Sequence, residues 1–164
     1  MIVISNTSPL TNLAAIGQFD LLRILFEEIW IPEAVWDELN AFGKRWPGSS
    51  EVESSVWVLR LPVTNQSLLT ALTRDLDRGE AESIVLALEK KADLILLDEK
   101  EGRHAAQRQG LYVLGTVGVL IEAARKSYIH QLRPQLEALR QTAGFYLSDE
   151  LFQTALEQVG ELPE

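Results

Sequence analysis

The chain has 164 residues, 46% of them hydrophobic and 24% charged, with no cysteine, a formal net charge of −9 and a sequence pI near 4.8. That length suits one domain with a continuous core, and the lack of cysteine excludes a disulfide framework or a thiolate zinc site. So acidic a chain has no global pull toward nucleic acid, so handling RNA needs a local basic strip, a bridging metal or a basic partner.

Ile2-Val3-Ile4 reads as a buried strand, too brief for a signal peptide or a membrane span, so a cytoplasmic location without membrane contact is expected. Asn6-Thr7-Ser8-Pro9 stops the strand; Ser8 can cap a helix with Pro9 at its first position, and Gly17 ends it. A short helix over residues 19–26, a strand over 28–31 and a helix opened by Pro32 follow. Residues 43–50, with two glycines and a proline, read as a loop. A strand is expected at 56–59, then helices over 67–74 and 79–91. The second helix carries an Ala81, Ile84, Val85, Leu88 stripe. Leu94-Ile95-Leu96-Leu97 is a continuous apolar run of the kind buried on both faces of a parallel sheet, and it ends at Asp98. A helix to Gln109, a strand over 111–114 and a helix over 116–126 complete the alternation. Two C-terminal helices flank Gly144-Phe145-Tyr146-Leu147, the last capped by Ser148. The alternation predicts one α/β domain, a sandwich with a central, mainly parallel sheet flanked by helices.

In such a sheet, ligands bind beyond the carboxyl ends of the strands. Asn6 and Asp98 fall there, Glu80 opens the helix leading into the Asp98 strand, and Glu38 lies on the helix after Pro32. With two isolated histidines, His104 and His130, a metal site must be built from oxygen, which favours Mg²⁺ or Mn²⁺. Each position has a plainer reading. Asp98 can cap the next helix, and Glu80 suits a first helical turn. Glu82 is as polar as Glu80 and flanks the same stripe. Glu38 competes with Asp37. Thr7 and Ser8 lack a neighbouring base and read as capping residues.

Four segments, Ile4-Ser5-Asn6-Thr7-Ser8-Pro9-Leu10, Pro32-Glu33-Ala34-Val35-Trp36-Asp37-Glu38-Leu39, Gly79-Glu80-Ala81-Glu82-Ser83-Ile84 and Leu96-Leu97-Asp98-Glu99, resemble the successive acidic motifs of PIN domains. The tail Ala143-Gly144-Phe145-Tyr146-Leu147-Ser148-Asp149-Glu150-Leu151 resembles the end of one prokaryotic subfamily, often described as a predicted nucleic-acid-binding protein. The order of the set, over nearly the whole chain, carries the resemblance. It implies a PIN-like three-layer sandwich over residues 1–164, with a helical extension from about residue 130. It also implies a Mg²⁺- or Mn²⁺-dependent endoribonuclease with Glu38, Glu80 and Asp98 as metal ligands and Asn6 beside them. Glu82 and Glu101 are second choices. Many relatives are toxins of prokaryotic toxin–antitoxin pairs, which implies a homodimer held inactive by an antitoxin protein. Asn6 departs from the family's usual aspartate. An amide oxygen can coordinate a hard cation but brings no charge, so weaker metal binding is expected, and a non-cleaving binding module is the alternative. A phosphotransfer enzyme using an aspartate nucleophile is set aside, because Asn6 occupies that place. Expected RNA contacts are Lys44, Arg45 and Trp46, a basic–aromatic loop, and Lys100 and Arg103, with Arg108 further along the same helix.

Overall fold

The computed structural model describes residues 1–41 and 46–161. Five short strands, β1 (Val3–Ser5), β2 (Ile29–Pro32), β3 (Val58–Leu61), β4 (Leu94–Leu96) and β5 (Val113–Leu114), pair in the order β3-β2-β1-β4-β5. Every pairing is parallel. Successive strand residues point to opposite faces, so two separate cores form. Val3, Ile29, Ile31 and Leu96 enter one, with Leu10, Leu13, Leu22, Leu120, Leu136 and Phe152. Ile4, Ile95 and Leu97 enter the other, with Ala81, Ile84, Ala105 and Ala106. Burying each large aliphatic side chain contributes roughly 1.5–3 kcal/mol. Both faces of the central strands therefore demand cover, which explains their unbroken apolar runs.

The helices supply that cover: α1 (Thr7–Ala15), α2 (Leu21–Phe26), α3 (Glu33–Leu39), α4 (Ser49–Ser54), α5 (Gln66–Leu72), α6 (Arg78–Glu89), α7 (Lys100–Arg108), α8 (Thr116–Arg125), α9 (Arg133–Gln141) and α10 (Asp149–Gln158). The layered, all-parallel architecture is the predicted α/β sandwich. Leu136, Leu139, Phe152, Ala155 and Leu156 join the first core, so the C-terminal helices are part of the main packing.

Local differences from the expected elements have identifiable causes. Helix α1 begins at Thr7 with Asn6 in the cap position, not at Ser8, and the Asn6 side chain makes no capping bond. Ser8 instead donates to Glu99 Oε1 at 3.3 Å. Part of the expected loop over 43–50 is the start of α4, entered through Gly48 at φ 96°. Its single buried apolar residue, Val52, left no periodicity to detect. Strand β3 lies two residues later than expected. Pairing with β2 sets its register from Ile29↔Val58 to Pro32↔Leu61, leaving Val56 outside the strand and exposed. Ser148 caps α10 as expected, accepting from the Leu151 N–H at 3.1 Å.

The strand order places the topological switch between β1 and β4, because the chain moves outward to β3 on one side and to β5 on the other. The crevice beyond their carboxyl ends is where a doubly wound sheet binds ligands. Asn6 and Asp98 stand at its two lips, and the Asn6 N–H donates to Leu96 O at 3.0 Å across them.

Candidate active site

Asn6 follows β1 directly and is buried. Its Oδ1 has no hydrogen-bond partner within the protein. Facing it is the first turn of α6, where Gly79 allows a close approach. A Cβ there would collide with Glu38 Oε1 and come 3.1 Å from Asn6 Oδ1. Glu38 and Asn6 thus meet over the Gly79 backbone. Thr7 Oγ1 donates to Glu38 Oε2, tying α3 to the start of α1. Desolvation is the largest influence on Glu38 and raises its carboxyl above the ordinary value, aided by the Asp77 charge. Thr7, Arg78 and the Gly79 N–H oppose the rise.

Glu80 is fixed by a capping box. Its N–H donates to Asp77 Oδ1 at 2.8 Å, and its own Oε1 accepts from the Asp77 N–H at 3.2 Å. The remaining oxygen, Oε2, is buried without a partner and abuts Gly102 of α7, where a Cβ would come within 2.6 Å. Desolvation pushes this carboxyl up to about 7. Repulsion from Asp77 and Glu99 adds to the rise, and the Asp77 N–H opposes it. Glu82, two residues on, is differently engaged. Its Oε1 accepts from the Ala34 N–H at 3.1 Å and its Oε2 pairs with Arg78 Nε at 2.8 Å. Arg78 also reaches Asp37 Oδ2 at 3.2 Å. The two acids that periodicity left equivalent are separated by their partners: Glu82 clamps α3 onto α6, and Glu80 keeps an uncommitted oxygen.

Asp98 closes the β4 side. Its plainer reading is a cap on the following helix, yet it receives donors from two others, α8 and α1. Oδ1 accepts from the Thr116 N–H at 2.7 Å, Oδ2 from Thr116 Oγ1 at 2.7 Å, and Asn12 Nδ2 donates to Oδ2 at 3.2 Å. The carboxylate therefore sits at the N-terminus of α8. Burial raises its pKa, opposed by Thr116, Asn12 and the Arg103 charge. Thr116 and Asn12 were not singled out in the sequence. The signal for Thr116 was a hydroxyl opening a helix directly after β5. For Asn12, one of four polar residues in α1, the signal was weaker.

The structure does not gather Glu38, Glu80 and Asp98 into one cage. Among the described residues no group of three acidic or histidine side chains is poised to hold an ion. Burial is the first cause of the raised pKa of all three acids, so each charged form is disfavoured where no cation offsets the lost hydration. The donors on hand are hard oxygens, two of them buried and orphaned, and this chemistry fits Mg²⁺ or Mn²⁺.

The expected RNA contacts are distributed unevenly. Lys44 and Arg45 lie outside the described residues. Trp46 is partly exposed and lines a cavity of about 310 Å³ with Thr7, Thr11 and Glu38. Lys100, Arg103 and His104 line a second cleft, of about 230 Å³, whose wall includes Asp98. Glu101 is exposed in the first turn of α7.

A doubly wound parallel sheet with Asn6 and Asp98 beyond the carboxyl ends of its two switch-point strands defines the class: an α/β protein whose candidate site lies beyond β1 and β4. The profile of a family described as a PIN domain matches residues 2–161, and the chain belongs to the PIN-domain family. Searches of curated proteins and of solved structures gave no match. PIN domains are typically nucleases acting on nucleic acid and generally use divalent metal ions.

Proposed function

We propose that this chain is a Mg²⁺- or Mn²⁺-dependent endoribonuclease, toxin-like in type. The observation that carries the reading is that two buried oxygens have no hydrogen-bond partner, Asn6 Oδ1 directly after β1 and Glu80 Oε2 in the first turn of α6. Leaving such acceptors unsatisfied costs on the order of 1–3 kcal/mol each, a cost that a bound cation would remove. Asn6, Glu38, Glu80 and Asp98 would hold the ion. When bound, such an ion supplies an activated water and neutralises charge on the phosphate.

The chain's own residues do the rest. Thr7 orients Glu38, the Asp77 capping box orients Glu80, and Thr116 with Asn12 orients Asp98. Lys100 and Arg103 offer positive charge to the substrate backbone beside Asp98, the local basic strip that an acidic chain requires. Cytoplasmic toxin action, a homodimer and an antitoxin partner belong to this reading through the family resemblance. Among the described residues no helix is long and apolar enough to cross a membrane.

A second reading, a binding module that no longer cleaves, is favoured by one feature: Asn6 removes a negative charge from a site already lacking a three-acid group. Incubation of a labelled, mixed RNA pool with Mg²⁺, Mn²⁺ or EDTA tests both, with Asp98→Asn alongside. Metal-dependent cleavage that disappears in the variant is expected. Folded protein that cleaves under no metal would leave the binding module.

A further inference from the structure

The segment between α9 and α10 lies against the candidate site and is held there by an arginine on its own flank. The Phe145 N–H donates to Leu139 O at 2.9 Å, and Leu147 is buried. Arg140 donates to Leu147 O through Nε at 3.0 Å and through Nη2 at 2.6 Å, and Nη2 also reaches Asp149 Oδ1 at 3.0 Å. The Arg140 guanidinium lies 4.6 Å over the Phe152 ring. Between these two anchors Tyr146 remains 87% exposed.

Exposure alone would not single it out, since Tyr112 is 79% exposed. Tyr112 precedes β5, however, at the end of the sheet opposite the switch point. Tyr146, with Phe145, forms a common wall of two clefts that both reach Asp98. One, of about 400 Å³, continues to Ser8, Asn12 and Glu99; the other, of about 320 Å³, continues to Arg103. Both volumes fall in or near the roughly 300–1,000 Å³ typical of ligand pockets. Lys100, Arg103 and His104 lie along the neighbouring cleft, so positive charge for a backbone and an open ring for a base occur on the two sides of one carboxylate.

We propose that Tyr146 is a stacking platform for an unpaired base of single-stranded RNA next to the phosphate that lies at Asp98 and Arg103; this rests on the nuclease reading of the same site. An exposed aromatic ring accepts any base through its π-face. A backbone tied down before binding gives up little entropy on contact. Duplex RNA, whose bases are stacked inside the helix, presents no free face to such a ring. The tail motif around Tyr146 thereby gains a role that the acidic motifs do not supply.

The test is fluorescence anisotropy with a short labelled single-stranded RNA, in EDTA and in Ca²⁺, repeated with copies carrying one abasic site at each successive position. Tyr146→Ala is expected to raise Kd about 5- to 10-fold, equivalent to roughly 1–1.4 kcal/mol, with Tyr146→Phe unchanged. Wild type is expected to lose affinity at one abasic position, and Tyr146→Ala to lose nothing further there. An abasic profile identical in the two proteins overturns the platform. So does equal, Tyr146-dependent binding of duplex RNA, or no binding of single strands by the wild type. Metal-dependent cleavage of the RNA pool is scored separately, so the nuclease reading can survive the loss of the platform.

Discussion

Replacing Glu80 with glutamine separates what the site costs the fold from what it offers a ligand. The carboxyl ordinarily titrates at 4.5 and is pushed up to about 7 by burial and by its acidic neighbours. Between those values the folded chain holds a proton that the unfolded chain has released, so stability falls as pH rises through this window. Above about pH 7 both states are ionised and the penalty is complete, at about 3 kcal/mol using roughly 1.36 kcal/mol per pH unit. Glutamine is nearly isosteric and neutral, and it keeps an oxygen for the Asp77 N–H. Its new N–H₂ group stands where the protonated wild-type carboxyl also lacks a partner, so that cost is common to both proteins at low pH and the gain above about pH 7 is about 2–3 kcal/mol. For a chain of this size that corresponds to a Tm increase of about 4–12 °C. Thermal and urea melts in EDTA from about pH 4.5 to 8 are the assay. The variant should match wild type at the acid end and exceed it increasingly up to about pH 7, with a constant difference beyond. Glu38 and Asp98, whose pKa values are also raised, slope in both proteins and cancel in the comparison. Added Mn²⁺ should stabilise wild type and not the variant. A variant less stable than wild type near pH 8, or a difference independent of pH, would refute the reasoning.

Two further outcomes are expected. Asn6→Asp should tighten Mn²⁺ binding in a calorimetric titration, because it adds a charge where Asn6 Oδ1 is buried and unpartnered; unchanged or weaker binding would place Asn6 outside the metal site. Gly79→Ala should change the melting temperature little, since a helix-propensity gain below the roughly 1 kcal/mol of a helix interior is offset where the methyl group meets Glu38. It should nevertheless lower kcat/KM at least about tenfold, because the new methyl group displaces the flexible end of Glu38 and crowds Asn6. Undiminished cleavage would show that the Glu38–Asn6 approach is not used.

Much of the architecture was legible along the chain. Short apolar runs such as Leu94–Leu97 suit strands covered on both faces, and the Ala81, Ile84, Val85, Leu88 stripe marks a helix lying on a core. Alternation of the two kinds of segment is enough to predict a layered α/β sandwich, and the ordered acidic motifs point to the family. These features are local, and a periodic pattern reports them directly. Partnership is different. Glu80 and Glu82 share one helix and both flank its stripe, and only the packing of α3 against α6 brings the Ala34 N–H to Glu82. Asp98 was readable as an acid after a strand, but its donors come from Asn12, 86 residues earlier, and Thr116, 18 residues later. Tyr146 looked like part of a helix breaker until the fold carried it to the rim beside Asp98. Sequence by itself determined most of the strands and helices and their order, because these follow from the spacing of apolar residues, while α4 and the limits of β3 were set by packing and pairing. Beyond local caps such as Ser148, tertiary structure alone decided which polar atoms meet, because those contacts depend on strand order and register.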